Sequence, residues 1–311
     1  MNTQSKIYVA GHTGMVGSAI VRCLRRNGYH NIISKPHSEL DLTDQAATEI
    51  FFEKEKPEFV FLAAAKVGGI YANNTYPADF IIENMLIECN VLRSSYKNNV
   101  EKLLLLGSSC IYPKTCPQPI REEYLLTGPL EPTNEPYALA KISGIKMCQS
   151  YNREYGTKYI SAMPASLYGV NDRFDLYNSH VIPSMIIKLH KAKYQNNPYV
   201  ELWGTGTPLR EFLYVDDMAE ACLTMMQTYE GNEIINIGSG QEISIRELAE
   251  TIKTVVGYEG ELVFDTSKPD GTPRRVLDNS RILQTGWKPV VHMEEGIRRE
   301  YEYYLNHIVE C

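Results

Sequence analysis

Tyr137 and Lys141 stand four residues apart, directly after a Glu135-Pro136 pair that is typical of a helix start. Helical spacing places both side chains on one face, one turn apart. An ammonium beside a phenol lowers the phenol pKa from about 10, and the same lysine can bind the ribose of a nicotinamide nucleotide. Ser108 follows an apolar run and is placed to share the substrate oxygen. This set predicts proton transfer at a carbinol or ketone oxygen. The alternative is a tyrosine and a lysine that merely line a helix.

A glycine-rich loop stands near the start of the chain, between an apolar stretch at residues 7–10 and a helical pattern. Glycines let the backbone approach a phosphate, and the N-terminus of the following helix supplies free N–H groups. The alternative is a turn that only packs a helix against a strand. With the Ser-Tyr-Lys set, the loop predicts an oxidoreductase that binds a nicotinamide dinucleotide. The loop reads Gly11-His12-Thr13-Gly14-Met15-Val16-Gly17.

The residues after the second predicted strand decide between NADH and NADPH. NAD-binding folds usually carry an acidic residue there for the ribose hydroxyl. Here the chain offers Lys35 and His37, which could pair with a 2′-phosphate, so NADP(H) is favoured. Asp41 and Leu42 are better placed to meet the adenine. Lys35 could equally be a solvated surface charge.

Apolar strands alternate with helices through the first half of the chain, which predicts a Rossmann-type, doubly wound parallel α/β sheet covered on both faces. The nucleotide would then lie across the carboxyl ends of the strands. The predicted strands are residues 7–10, 31–34, 58–63, 103–106 and 159–163, and the predicted helices are 15–26, 44–56, 78–98 and 135–155.

After Pro164 the pattern changes to segments rich in Asn, Pro, Tyr and Gly. Strands are predicted at 210–215 and 262–264, a strand followed by a turn at 234–240, and helices at 182–194, 216–229, 244–256 and 294–305. One return to the sheet makes the second lobe discontinuous. We expect a cofactor domain at 1–165 plus about 211–237, and a smaller substrate lobe at about 166–210 plus 238–311.

Charge and composition restrict the classes of function. The net charge of −7 argues against nucleic acid as a partner, since no basic stripe is present. No apolar run is long enough for a membrane span, and the start of the chain is too short for a secretory signal. The seven cysteines are scattered without the spacing of a metal site, so we expect no metal, reduced thiols and a cytoplasmic protein.

Longer motifs give the chain a family resemblance. It resembles the extended short-chain dehydrogenases/reductases that modify nucleotide sugars, along nearly its whole length. The resemblance is closest to the branch that epimerises GDP-4-keto-6-deoxy-D-mannose at C3 and C5 and reduces it at C4 with NADPH. The motifs are Ala63-Ala64-Ala65-Lys66-Val67-Gly68-Gly69-Ile70, Gly107-Ser108-Ser109-Cys110-Ile111-Tyr112-Pro113, Glu131-Pro132-Thr133-Asn134-Glu135-Pro136-Tyr137, Asn178-Ser179-His180-Val181-Ile182-Pro183 and Trp203-Gly204-Thr205-Gly206-Thr207-Pro208-Leu209-Arg210-Glu211-Phe212.

The resemblance implies a role for each catalytic candidate. Cys110 would remove the protons alpha to the C4 ketone and His180 would return protons on the opposite face. Tyr137 would protonate the C4 oxygen, positioned by Ser108 and Lys141. A thiol beside a cation is partly ionised near neutrality, and an imidazole can donate or accept there. Without the resemblance, a buried hydrophobic cysteine and a capping histidine would be the commoner roles.

The resemblance also implies binding residues. The predicted substrate contacts are Lys188, Trp203, Arg210 and Asp270, with Arg275 as a further candidate. The predicted cofactor contacts beyond the glycine loop and residues 35–42 are Ala64, Leu106, Gly107, Ser108, Ser109, Lys141, Pro164, Ala165, Ser166, Leu167 and His180.

Two departures from the family pattern stand out. Some members carry arginines for the 2′-phosphate where this chain has Thr13 and His37, and a Thr-Asn pair where it has Ala165-Ser166. In the family that the chain resembles, a pair of long helices such as 78–98 and 135–155 usually builds a dimer interface, so the resemblance implies a homodimer. Two alternatives stay open: a reductase or epimerase of a related GDP-4-keto sugar such as a heptose, and a non-enzymatic NADP(H)-binding regulator.

Overall fold

The computed structural model describes residues 1–175, 179–268 and 270–309 of the 311-residue chain. Asn178 and Pro269, which belong to motifs and loops named above, lie outside the described residues. Its strands, in chain order, are β1 Ile7–Ala10, β2 Ile32–Ile33, β3 Phe59–Leu62, β4 Lys102–Leu106, β5 Tyr159–Pro164, β6 Ser166–Tyr168, β7 Tyr199–Trp203, β8 Leu209–Tyr214, β9 Ile235–Ile237, β10 Glu242–Ser244, β11 Glu261–Asp265 and β12 Arg274–Arg275.

The helices cover the sheets and include two long ones, α4 and α5, that pack against each other. In chain order they are α1 Met15–Arg26, α2 Gln45–Glu55, α3 Ile70–Thr75, α4 Pro77–Lys97, α5 Glu135–Tyr155, α6 Val181–Tyr194, α7 Val215–Thr228, α8 Ile245–Val256, α9 Ser280–Leu283 and α10 Met293–His307. None of these described helices has the length and apolarity needed to cross a membrane.

The central sheet has the strand order β2-β1-β3-β4-β5-β9, and every pairing in it is parallel. Its strands are almost entirely buried because helices pack on both faces, as continuous apolar runs predict. Two separate apolar clusters form these two layers. The predicted doubly wound α/β fold is confirmed.

A second sheet is built around β8, which pairs with β10, β12 and β6. The sequence placed this strand, at 210–215, with the cofactor domain. The structure puts it in the second sheet, while α7 packs on α1 and β9 joins the central sheet. The buried carboxylate of Glu211 explains this placement, since it accepts hydrogen bonds from the Leu277 and Gly240 backbones at 2.9 and 2.7 Å. The division of the chain into two lobes stays a prediction.

The sequence did not predict several short elements, namely β6, β7, β10, β12, α3 and α9. They are short, and β7 alternates buried and exposed residues over only five positions. Elements with a strong local signal lie where the sequence predicts them. Helix α8, for example, begins after Ser244, whose hydroxyl and Glu247 form a capping box.

Candidate active site

A cleft of about 750 Å³ opens beside the carboxyl ends of the central strands. Ligands of doubly wound sheets bind at this edge. Most of the predicted cofactor and catalytic residues line it. These are Gly11, Thr13, Gly14, Met15, Val16, Gly17, Lys35, His37, Asp41, Leu42, Ala64, Leu106, Gly107, Ser108, Ser109, Cys110, Tyr137, Lys141, Pro164, Ala165, Ser166, Leu167 and His180.

The glycine loop has the shape of a phosphate cradle. Gly11 has a φ of +81°, and a Cβ there would lie 2.7 Å from the Ala64 amide nitrogen. A Cβ at Gly17 would lie 2.0 Å from the Gly11 carbonyl oxygen. Gly14, the residue before α1, would meet only an ordinary contact of 3.5 Å. The backbone at Gly11 and Gly17 is therefore tightly packed, whereas Gly14 leaves space at the N-terminus of α1. A dinucleotide pyrophosphate fits such a space.

The end of the cleft that follows β2, where the sequence predicts the adenosine, carries exposed charged and titratable side chains. Lys35 Nζ lies 2.6 Å from Glu39 Oε2, and His37 Nδ1 lies 3.9 Å from Asp41 Oδ1. Hydrogen bonds from Thr43 lower the pKa of the Asp41 carboxyl. Although no carboxylate ends β2 itself, Glu39 and Asp41 lie beside Lys35 and His37.

Ser108 and Tyr137 come together where β4 ends and α5 begins. The Ser108 hydroxyl oxygen accepts a hydrogen bond of 3.2 Å from the Cys110 backbone, which fixes the turn after β4. Tyr137 lies in the first turn of α5, with its ring edge-on to Phe80. Burial raises the pKa of the Tyr137 phenol, and the Cys110 and Glu88 charges act in the same direction. A hydrogen bond with Ser108 opposes them more weakly.

Lys141 does not lower the phenol pKa as the sequence predicted. Its Nζ lies 3.0 Å from Glu88 Oε1 on α4, with both side chains almost fully buried. It lies 6.0 Å from the centre of the Tyr137 ring, so the two meet as expected from their spacing. The expectation was wrong because burial outweighs the ammonium, whose charge Glu88 offsets. The phenol therefore stays protonated at neutral pH, which is the state of a proton donor.

Cys110 and His180 line the same cleft, Cys110 from the turn after β4 and His180 from the residue before α6. Cys110 is partly buried, and its Sγ accepts a 3.2 Å hydrogen bond from Asn134 Nδ2. His180 is exposed and precedes α6 without a side-chain cap among the described residues. Burial raises the pKa of the nearby Asp172 carboxyl, while His180 lowers it. A thiol and an imidazole thus line the same cleft as Tyr137.

The five predicted substrate residues and His12 do not line this cleft. Arg210, Asp270 and Arg275 form a charged group beside the paired strands β8 and β12, where burial and the Arg275 charge lower the pKa of Arg210. Arg275 also donates to the Ser109 carbonyl, next to Cys110. Trp203 is 67% exposed, with Lys268 over its ring, and Lys188 is half-buried on α6.

The sequence predicted no role for three polar residues, of which Asn171 lines the cleft and the other two contact residues that line it. Glu88 holds Lys141, Asn134 contacts Cys110, and the Asn171 side-chain amide donates to the Thr13 carbonyl oxygen at 2.7 Å. Asn171 has a φ of 72°, a left-handed conformation that asparagine tolerates. A glutamate within a helical pattern gives no sign of such a role by itself. Asn134, however, lies within the motif at residues 131–137, which could have drawn attention to it. Within the described part of the chain, no cluster of three potential metal ligands is found.

Comparisons with known proteins agree with this geometry. The NAD dependent epimerase/dehydratase family matches residues 7–238. GDP-L-fucose synthase 1 of Arabidopsis thaliana is 57% identical over 304 residues, which cover 98% of this chain and 94% of that protein. Among solved structures, a Campylobacter jejuni GDP-D-glycero-L-gluco-heptose synthase is 40% identical, with a TM-score of 0.91 and coverage of 98% and 99%.

A GDP-L-fucose synthetase of Naegleria fowleri, solved with bound NADP, is 29% identical with a TM-score of 0.91 and covers 98% of this chain and 95% of its own. The family match extends over most of the chain and includes the glycine loop, the Ser-Tyr-Lys set and both Cys110 and His180. The chain therefore belongs to the NAD dependent epimerase/dehydratase family.

Proposed function

We propose that this protein converts GDP-4-keto-6-deoxy-D-mannose to GDP-L-fucose by epimerisation at C3 and C5 and NADPH-dependent reduction at C4. The observation that carries the proposal is one cleft that holds both a Ser108-Tyr137-Lys141 set and a Cys110-His180 pair. A simple reductase needs only the first set. The named GDP-L-fucose synthases at 57% and 52% identity support the same substrate.

Epimerisation is assigned to Cys110 and His180. The Cys110 thiolate takes the proton from C3 or C5, so that the C–H bond breaks, an S–H bond forms and the electron pair moves to the C4 oxygen as an enolate. The His180 imidazolium then returns a proton to the opposite face of the same carbon. Ser108 and Tyr137 donate hydrogen bonds to the oxygen that carries the developing charge.

Reduction is assigned to Tyr137, supported by Ser108 and Lys141. A reduced nicotinamide held in the cleft beside Tyr137 and Lys141 would supply the hydride for C4. Tyr137 gives its proton to the C4 oxygen, which its raised pKa favours because the phenol is a donor at neutral pH. Lys141 holds the nicotinamide ribose and is itself fixed by Glu88.

The binding roles follow from charge and position. We assign the dinucleotide to the glycine loop and to Lys35 and His37, as NADP(H). The NADP-bound and NADPH-containing solved relatives support this assignment. The GDP moiety is assigned to the second-lobe residues Lys188, Trp203, Arg210, Asp270 and Arg275, where guanidinium groups can bind a pyrophosphate in bidentate fashion.

We further propose a homodimer formed through α4 and α5, in the cytoplasm. The two helices carry exposed apolar side chains, with Ile82 55%, Leu86 40% and Leu139 39% exposed. Such a patch is typical of a protein interface. The six cysteines in the described residues are all unpaired, as in proteins of reducing compartments.

A second candidate substrate is a GDP-4-keto-heptose. Solved structures 40–41% identical to this chain include a GDP-D-glycero-L-gluco-heptose synthase and a GDP-mannoheptose C4 reductase. Their similarity over the full chain means that the fold does not separate hexose from heptose. The comparison is therefore left to experiment.

The test offers the protein GDP-4-keto-6-deoxy-D-mannose and a GDP-4-keto-heptose side by side with NADPH in heavy water. We expect faster loss of NADPH absorbance with the hexose, and deuterium at C3 and C5 of the product. Faster turnover of the heptose would establish the second candidate, and a product without deuterium would mean simple reduction. No NADPH loss with either sugar would contradict the enzymatic proposal and favour a regulator.

A further inference from the structure

Asn134 occupies a helix-capping position without capping the helix. Asparagine is among the residues preferred before the first turn of a helix, where its side chain accepts a backbone N–H. Within the described part of the chain, the Asn134 side chain makes no such bond at the start of α5. Its Nδ2 instead donates to Cys110 Sγ at 3.2 Å. The side chain therefore contacts the Cys110 sulfur and does not cap α5.

Both partners of this contact are held in place by the backbone. The Asn134 carbonyl oxygen accepts from the Ala138 N–H at 3.0 Å, which ties it to the first turn of α5. The Cys110 amide donates to Ser108 Oγ at 3.2 Å, which ties it to the turn after β4. Asn134 Oδ1 is buried and has no hydrogen-bond partner among residues 1–175, 179–268 and 270–309. The amide therefore keeps its N–H toward the sulfur although its oxygen is left unpaired.

We propose that Asn134 is a positioning residue for Cys110, whose amide N–H holds the sulfur in the cleft and favours the thiolate over the thiol. A hydrogen bond to the charged form of a group stabilises that form. The proposal rests on the proposed role of Cys110 as the base. It also links the two halves of the chemistry, because Asn134 lies three residues before Tyr137 on the same helix start.

Other charged or titratable groups also surround Cys110. Tyr137 approaches from α5, and the charge of a Cys110 thiolate raises the pKa of its phenol. His180 shares the cleft from the second lobe. Arg275 of β12 donates to the Ser109 carbonyl one residue before the cysteine. Within the described part of the chain, Asn134 is the only one of these residues that donates a hydrogen bond to the sulfur. Its replacement is therefore expected to act on the sulfur directly.

The pH dependence of thiol alkylation tests the contact without any sugar. Iodoacetamide labelling of the full chain is followed for each cysteine by peptide mass spectrometry between about pH 6 and 10. Asn134→Ala should raise the Cys110 midpoint by about one unit, an approximately tenfold loss of thiolate below it. Asn134→Asp, which places a carboxylate beside the sulfur, should raise the midpoint further. Cys89 and Cys116 serve as internal controls and should not move.

The matched control is Thr133→Ala, since the Thr133 side chain contacts Glu131 and not the cysteine. It should leave the Cys110 midpoint unchanged. Because the Asn134 side chain makes no cap bond, its replacement should leave α5 intact, and Asp keeps the shape of Asn. If the alanine variant does not fold, Asn134→Leu decides, since leucine keeps the approximate shape of asparagine and has neither an N–H donor nor a charge. A Cys110 midpoint that is the same in the wild type and in the folded Asn134 variants would overturn the proposal.

A second readout separates a base effect from a structural one. Deuterium uptake at C3 of the GDP-4-keto sugar, measured without NADPH, should be about tenfold slower in Asn134→Ala near neutral pH and should recover above the raised midpoint. A rate that stays equally low at all pH values would contradict the proposal. Should the wild type show no uptake, the proposed function fails, while the alkylation midpoints still decide the Asn134–Cys110 contact.

Discussion

The two ends of the cleft each hold a lysine–glutamate pair, in opposite surroundings. Lys141 and Glu88 meet at 3.0 Å with both side chains almost out of reach of water. Lys35 and Glu39 meet at 2.6 Å, but 41% and 54% of their side chains are exposed. Water and salt screen the exposed pair, whereas the buried pair has no other source of solvation. Burial, and not distance, therefore decides which of the two ion pairs is the stronger interaction.

The comparison gives the ends different tasks. The buried end can fix a proton donor and shift its pKa, as Tyr137 shows. The exposed end can only attract a charged group, which would compete with Glu39 for the Lys35 ammonium. Substitutions should accordingly have large effects at the buried end and small, salt-dependent effects at the exposed end.

The largest effect is expected for Tyr137→Phe, which removes the proposed proton donor. The rate of NADPH oxidation should fall by about 10²–10⁴-fold, the usual contribution of general acid catalysis. NADPH affinity should change little, because the ring and its contact with Phe80 remain. Tyr151→Phe, lower on the same helix, is the control. Retained turnover in Tyr137→Phe would remove the phenol from the chemistry.

Glu88→Gln tests the buried pair through stability. An isosteric amide leaves the Lys141 ammonium buried without its counter-charge, which should cost about 3–5 kcal/mol of unfolding free energy. Urea unfolding of wild type and variant measures the difference. Glu39→Gln makes the same carboxylate-to-amide change in the exposed pair and should barely change the urea midpoint of unfolding. Similar, small changes in the free energy of unfolding in both variants would contradict the proposed difference between the two ends of the cleft.

Asn171→Asp tests the middle of the cleft, where the glycine loop is held. The variant keeps the left-handed backbone but loses the donor to the Thr13 carbonyl. NADPH should bind about fivefold more weakly, as expected for one hydrogen bond. Tyr303→Phe removes only the outer bond to Asn171 Oδ1 and should have a smaller effect. Unchanged affinity in the Asn171 variant would show that the loop needs no such support.

The smallest effect is expected for Lys35→Ala at the exposed end. NADPH affinity should fall by only a few-fold, and the loss should disappear at high salt. Glu39→Gln should act in the opposite direction, because it frees Lys35 for the 2′-phosphate. Fluorescence titration of NADPH at two salt concentrations measures both variants. A large, salt-independent loss in Lys35→Ala would mean that this end resembles the buried one.

The sequence predicted the parts of the molecule whose signal is local. The glycine loop, the apolar strands of the central sheet and the Tyr137–Lys141 spacing all lie within short stretches of chain, and the structure has them as expected. Strands β6, β10 and β12 were missed because they form only by pairing with the distant β8. Their short, polar sequences carry no periodicity of their own.

The electrostatics of the site could not be predicted from spacing. Helical geometry brings Lys141 to Tyr137, but only the packing of α4 on α5 brings Glu88 to Lys141. That third partner, with burial, reverses the expected direction of the Tyr137 pKa. A side chain such as Asn134 likewise reads as a helix cap until the fold places Cys110 beside it.

The most direct test of the account compares Cys110→Ser with the wild type in heavy water, with GDP-4-keto-6-deoxy-D-mannose and NADPH. If Cys110 is the base and Tyr137 the donor to the C4 oxygen, deuterium uptake at C3 and C5 should be lost far more than hydride transfer to C4. Cys116→Ser should behave as the wild type. Equal loss of both steps in Cys110→Ser, or undiminished deuterium uptake, would contradict the division of labour within the cleft.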